Sequence, residues 1–248
     1  MDRSPNLIPS THLLFRMSPG LSQFLILLTA SQLAFCADYQ IEANIRYGQY
    51  PENVLDIVQS PAPALKNRPG VIVIHGDGVK ERTIEQFCVP LVQHDFVVAN
   101  VEYRSPIAAT AKAAVNDVLE AASWFHNHAA RFKVDPDQIL VLGESSGGYL
   151  ALMVGMTPAS ADLGPVIKIS AVINFYGVDQ LEQPYAAYIR RGLPPILSIH
   201  SEADDQSVRL TKALKEAGDD AELITVPGEM SKLWPQIFKW LKKRKIGS

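Results

Sequence analysis

Histidine runs out early in this chain: six occur among 248 residues, and none follows His200. Cysteine is scarcer, with Cys36 and Cys88 alone. If Cys36 leaves with a processed leader, Cys88 has no partner and no internal disulfide can form. Neither residue type falls at metal-binding spacing; there is no His-Glu-x-x-His and no Cys-x-x-Cys. Positive charge is not in excess either. A formal net charge of -3 leaves no electrostatic case for nucleic acid as a partner. No uninterrupted apolar run is long enough for a comfortable membrane span. What is present, 47% apolar and 20% charged residues, is the composition of a globular domain with a well-buried core.

Residues 1–37 read as a segment apart from the fold. Arg3 and Arg16 precede the apolar stretch Leu21–Ala30, and Ala34-Phe35-Cys36-Ala37 offers small residues at cleavage spacing. This is the layout of a secretory signal peptide with a long front end, and it implies a secreted or periplasmic protein. Met17 is an alternative start that would lose both arginines. Leu33-Ala34-Phe35-Cys36 loosely resembles a lipoprotein box, with Phe35 bulky where a small residue is wanted.

From residue 38 to 248 the chain alternates strand and helix patterns. Strands are expected at Gln40–Ile45, Val54–Val58, Val71–Ile74, Phe96–Val101, after Pro136, around Ile167–Phe175, at Pro195–Ile199 and at Ala221–Val226. Helices are expected at Glu81–His94, Ala108–Phe132, about Ser146–Met156, Val208–Ala217 and through Leu233, Ile237, Phe238 and Leu241. The continuous apolar run Val71–Ile74 suits a central strand covered on both faces. Cys88 lies among Phe87, Val89 and Leu91, so a buried apolar role is expected. One doubly wound, mostly parallel α/β domain accounts for the order.

The chemistry concentrates at Gly143-Glu144-Ser145-Ser146-Gly147, a G-x-S-x-G sequence placed where an apolar strand runs into a helix. A side chain at either glycine would crowd a turn this sharp, and the turn holds its serine in strained geometry. Ser145 is therefore the candidate nucleophile. Such motifs use the order serine, then Asp or Glu, then histidine.

With Val73–Gly78, Val101–Arg104, Gly143–Gly148, Asn174–Gly177 and Pro194–His200 followed by Glu202–Asp205, the chain resembles the α/β-hydrolase superfamily. Within it, the likeness is to secreted carboxylesterases of the acetyl-xylan and feruloyl esterase type, which are hormone-sensitive-lipase-like. The likeness runs from about residue 40 to the end and implies an α/β-hydrolase fold with little or no cap. It implies Ser145 as nucleophile and Asp204 as the acid, with Asp205 as fallback. It also implies an oxyanion hole made by the N–H of Ser146 and by the turn at Gly76 and Asp77. His75 in that turn serves the loop's structure, and Glu144 occupies a position the family often fills with Glu. No cofactor is required. The partner implied is a small-molecule ester.

Three departures from the family's pattern bear on activity. Asp77 stands where the family has glycine. The segment Asp179–Leu193 is short where the family carries part of its substrate cover. No histidine follows Gly228, and Ser231, nearest that place, reads as a helix N-cap. His94, His126, His128 and His200 have bland readings at helix ends or within a strand. The expectation is a serine carboxylesterase scaffold of weak or absent turnover. The alternative is a degenerate homologue that binds an ester or carbohydrate.

Overall fold

The computed structural model describes residues 39–62, 64, 66–76, 83–105, 110–177, 185–200, 205–226 and 232–247. They build one eight-stranded sheet in the order β1-β2-β4-β3-β5-β6-β7-β8. The strands are β1 (Gln40–Arg46), β2 (Val54–Gln59), β3 (Arg68–Ile74), β4 (Val97–Val101), β5 (Val134–Glu144), β6 (Val172–Phe175), β7 (Ile196–His200) and β8 (Ala221–Thr225). The β1–β2 and β2–β4 pairs are antiparallel, and every later pairing is parallel. The helices are α1 (Val89–Gln93), which continues a π-helical turn at Ile84–Cys88, α2 (Ala111–Asn127), α3 (Ser146–Met156), α4 (Asp205–Glu216) and α5 (Trp234–Lys243). This is the α/β-hydrolase architecture.

Alternation along the central strands divides the core between the two faces of the sheet. Ile72, Ile74, Val141, Val172 and Ile196 pack with residues of α2, α3 and α4. Val71, Val73, Leu142, Phe175 and Ile199 pack with Phe87, Leu91, Trp234, Ile237 and Trp240. Strands covered on both sides favour apolar residues at successive positions, which is why Val71–Ile74 of β3 reads as a continuous apolar run, while β4 departs from that pattern at buried Asn100. Trp234 and Trp240 lie on the sheet, and Pro235 falls in the first turn of α5, where its missing N–H does no harm.

Some boundaries differ from those expected. β5 begins at Val134, before Pro136, because Val134 pairs with Arg68. The register is irregular between there and Gly70, so proline sits where no ladder donor is needed. β6 is only Val172–Phe175, since its partner β7 supplies pairing from Ile196 on. Arg244 is 7% exposed, pairs with Asp220 at 2.6 Å and Glu222 at 2.9 Å, and stacks on Trp240. It ties α5 to the β8 edge.

No helix among the described residues is long and apolar enough to cross a membrane. Cys88 is fully buried between α1 and the sheet, and burial pushes its thiol well above the usual range. It is expected to resist a thiol-titrating reagent in the native state and to react at once in denaturant. Rapid native labelling would mean that the α1 side of the core opens.

Candidate active site

Ser145 sits between the end of β5 and the start of α3, with φ 54° and ψ -122°, and its side chain is exposed. A β-carbon-bearing residue enters this region of backbone space at a cost of about 1–3 kcal/mol, so the surrounding structure must impose it. Two contacts do so. The Ser145 N–H donates to the Phe175 carbonyl at 2.8 Å, and the Ser145 carbonyl accepts from Tyr149 N–H at 3.2 Å. The elbow glycines leave no alternative. A Cβ at Gly143 would stand 2.0 Å from the Gly147 carbonyl oxygen, and one at Gly147 would stand 2.2 Å from that of Ile74.

Ser146 opens α3 and is buried, so its N–H lies in the first turn, where helix amides face the N-terminal end. Gly76 follows β3, the strand beside β5, and its backbone lies against the nucleophile. A Cβ built there would be 3.1 Å from Ser145 Cβ and from the Glu144 carbonyl oxygen. Ser145, Ser146 and Gly76 are thus brought together at the carboxyl end of the sheet, where open α/β sheets build their sites. Asp77, Asp204 and Ser231 lie outside the described residues, as does the segment 1–37. Asp205 is the first residue of α4; its carboxylate is exposed and lies 3.8 Å from Arg209.

None of the five described histidines is placed beside Ser145 as a base. His200 ends β7, two strands from β5, and two inter-strand spacings amount to about 10 Å. It is 4% exposed, with its ring edge-on to Tyr176 at 5.6 Å. His94 stacks on Phe238 at 3.6 Å, with Nδ1 2.9 Å from the Pro90 carbonyl. His128 stacks on Trp124 at 4.1 Å, and its neighbour His126 is in the last turn of α2. These two belong to the end of α2 that leads into the start of β5, the far end of that strand from Ser145. His75 has Nδ1 2.7 Å from the Gly76 carbonyl oxygen and Nε2 3.3 Å from Glu102.

Side chains of Val101–Arg104 and Asn174–Gly177 brace this end of the sheet, a role their sequence alone does not assign. Tyr103 donates its hydroxyl to the His75 carbonyl at 2.8 Å, and Asn174 accepts from Gly177 N–H at 2.9 Å. Tyr176, at φ 57°, follows the residue that binds the Ser145 amide; burial, then the nearby Glu144 charge, pushes its phenol up, so it stays neutral. One signal was available in the sequence: polar residues immediately after apolar strands fall on the end of the sheet that holds the site. No group of metal-ligating side chains occurs among the described residues.

The BD-FAE family model matches residues 55–187, more than half of the chain and inclusive of the Gly76 turn and the elbow. The chain is 29% identical over 154 residues to a probable carboxylic ester hydrolase, LipM, of Mycobacterium tuberculosis, covering 57% of this chain and 35% of that protein. It is 24% identical over 242 residues to the isoprenylcysteine alpha-carbonyl methylesterase ICME of Arabidopsis thaliana, covering 77% of this chain and 56% of that one. It therefore spans between about a third and just over half of these relatives' length. A truncated carbohydrate esterase from gut microbiota shares the fold with a TM-score of 0.72 at 20% identity, over 84% of this chain and 98% of that one. With its sheet order, its strained serine and this match, the chain belongs to the BD-FAE family and is an α/β-hydrolase-fold scaffold of the carboxylesterase type.

Proposed function

We propose that Ser145 is an acyl-accepting nucleophile for small acyl esters, with acetyl and feruloyl esters of plant polysaccharide as the substrate class. The observation that carries this reading is an exposed serine held at φ 54° on a glycine elbow, with the Gly76 backbone against it. In the proposed step, Ser145 Oγ bonds to the ester carbonyl carbon and its proton passes to water, which returns it to the leaving alcohol. The carbonyl oxygen becomes an oxyanion facing the amides of Ser146 and of the Gly76–Asp77 turn. Collapse breaks the ester C–O bond, the alcohol leaves with a proton, and water then releases the acid from the acyl-serine. Asp204 is the residue assigned to orient a base, with Asp205 second; the exposed side chain of Asp205 favours Asp204.

No histidine follows His200, and the described ones are engaged elsewhere, so slow turnover is part of the proposal. Loss of the base from a serine-hydrolase triad lowers turnover about a millionfold, with a residue of catalysis left in the oxyanion hole and in binding. The same observation favours a second reading, a homologue that binds an ester or carbohydrate and does not turn it over. Hydrolysis of p-nitrophenyl acetate, with labelling by a fluorophosphonate probe, separates the two. The catalytic reading expects slow labelling and hydrolysis that Ser145→Ala abolishes. Equal rates for both proteins would leave the binding reading, with thermal stabilisation by ligand and no turnover.

Residues 1–37 are proposed to be removed on export, giving a secreted or periplasmic protein. Thiol titration of the exported protein in denaturant then counts Cys88 alone; a second thiol would mean that Cys36 is retained.

A further inference from the structure

The turn that follows β6 meets the nucleophile elbow backbone to backbone, and one buried side chain lies in the join. Asn174 is 0% exposed and pairs with Gly143 on β5 and Ser198 on β7. Two residues after Val172, it points to the side of the sheet that α3 covers. Its Oδ1 accepts from Gly177 N–H at 2.9 Å and closes the turn 174–177. Inside that turn Tyr176 has φ 57°, which a residue with a β-carbon adopts only when held there. The Tyr176 N–H donates to the Ile199 carbonyl at 3.1 Å, which fixes the turn to β7. Next to it stands the Phe175 carbonyl, which accepts the Ser145 N–H at 2.8 Å.

Where this turn touches α3 there is no room for a side chain. A Cβ at Gly148 would stand 2.5 Å from Asn174 Oδ1 and 2.9 Å from both Gly177 Cα and the Phe175 carbonyl oxygen. One at Gly177 would stand 2.4 Å from the Gly148 carbonyl carbon and from Tyr149 N. Asn174 Oδ1 is therefore set against the first turn of the helix that Ser145 begins. The two halves of its amide fare differently: Oδ1 closes the turn, whereas Nδ2 is buried with no hydrogen-bond partner among the described residues. A buried donor left unpaired is destabilising, so packing alone would favour leucine, of similar size, at this position. What asparagine supplies and leucine does not is an acceptor for Gly177. We propose that Asn174 is a positioning residue for Ser145. Its carbonyl fixes the turn 174–177, and the turn holds the Phe175 carbonyl and the start of α3 where Ser145 is kept at φ 54° and ψ -122°.

The effect on reactivity rests on the proposed role of Ser145 as nucleophile, whereas the hold on its amide does not; two readouts keep them apart. They are hydrogen exchange at the Ser145 amide of the ¹⁵N-labelled chain and fluorophosphonate labelling of the Ser145 hydroxyl. Asn174→Leu fills the space without an acceptor, and Asn174→Asp keeps the acceptor. Asn174→Leu is expected to keep a thermal midpoint close to that of the unmodified protein, because the unpaired N–H goes with the lost bond. Its Ser145 amide is expected to exchange about tenfold faster and its labelling to slow about tenfold, the weight of one hydrogen bond. Asn174→Asp is expected to return both rates toward those of the unmodified protein, which a role in packing alone would not do. Exchange and labelling both unchanged in Asn174→Leu overturn the proposal. So does an equal loss in the leucine and aspartate variants, because the acceptor would then be immaterial. Asn174→Leu decides alone if the buried carboxylate keeps Asn174→Asp from folding. If Ser145 of the unmodified protein never labels, the nucleophile reading falls, and amide exchange still decides whether Asn174 holds the elbow.

Discussion

Arg104→Met is expected to destabilise the fold by about 3–5 kcal/mol. For a chain of this size that lowers the thermal midpoint by about 10 °C. Arg104 leaves β4 and returns three donors to one carboxylate. Its Nε is 2.8 Å from Asp117 Oδ2, its Nη2 is 2.6 Å from Oδ1, and its backbone N–H donates to Oδ2 at 3.0 Å. The guanidinium also lies 3.6 Å above the centre of the Tyr50 ring, and the hydrogen bonds to Asp117 hold its charge firmly on. The asymmetry of burial decides the size of the effect. Asp117 is 0% exposed and Arg104 18%, so removing the arginine strands a carboxylate inside α2's packing face, while removing the carboxylate strands a cation near water. Arg104→Met should therefore be worse than Asp117→Leu, and combining the two should recover most of the loss. Denaturant unfolding of the four proteins in a double-mutant cycle measures this. A loss below about 1 kcal/mol for Arg104→Met would show that the pair is no more than a surface ion pair.

Gly147→Ala should cost about 3 kcal/mol or more and abolish Ser145 labelling in whatever folds. A methyl group there would meet the Ile74 carbonyl oxygen at 2.2 Å and that of His75 at 2.5 Å. Both are backbone atoms of the central strand and its exit, so neither can swing aside as a side chain could. Helix α3 would have to lift from β3, and Ser145 at its N-terminus would move with it. Gly192→Ala serves as the comparison. That glycine has φ +89° and nothing within 4 Å, so only backbone strain of about 1–2 kcal/mol is expected. Equal effects of the two substitutions on unfolding would show that packing at the elbow is loose and that the strain of Ser145 is not imposed by it.

The elbow was legible because its information is local: an apolar strand, two glycines and a serine in eleven consecutive residues need no distant partner to be read. The same holds for the continuous apolar run Val71–Ile74 of β3 and for α3. The want of a histidine after His200 is likewise a fact of sequence alone. Tertiary structure decided what depends on which strands lie side by side. Because β3 lies between β4 and β5, Glu102 reaches His75 and the Gly76 backbone reaches Ser145; nothing in the spacing of these residues along the chain announces either contact. Because β6 lies between β5 and β7, His200 is held a strand too far from Ser145. The start of β5 before Pro136 was set by pairing with Arg68, and the burial of Arg244 by Asp220 just before β8, Glu222 on β8 and Trp240 on α5. Local preference specifies an element and its turns. Strand order, which balances burial over the whole sheet, specifies which polar side chains leave the strands next to one another, and it is there that the candidate site is made.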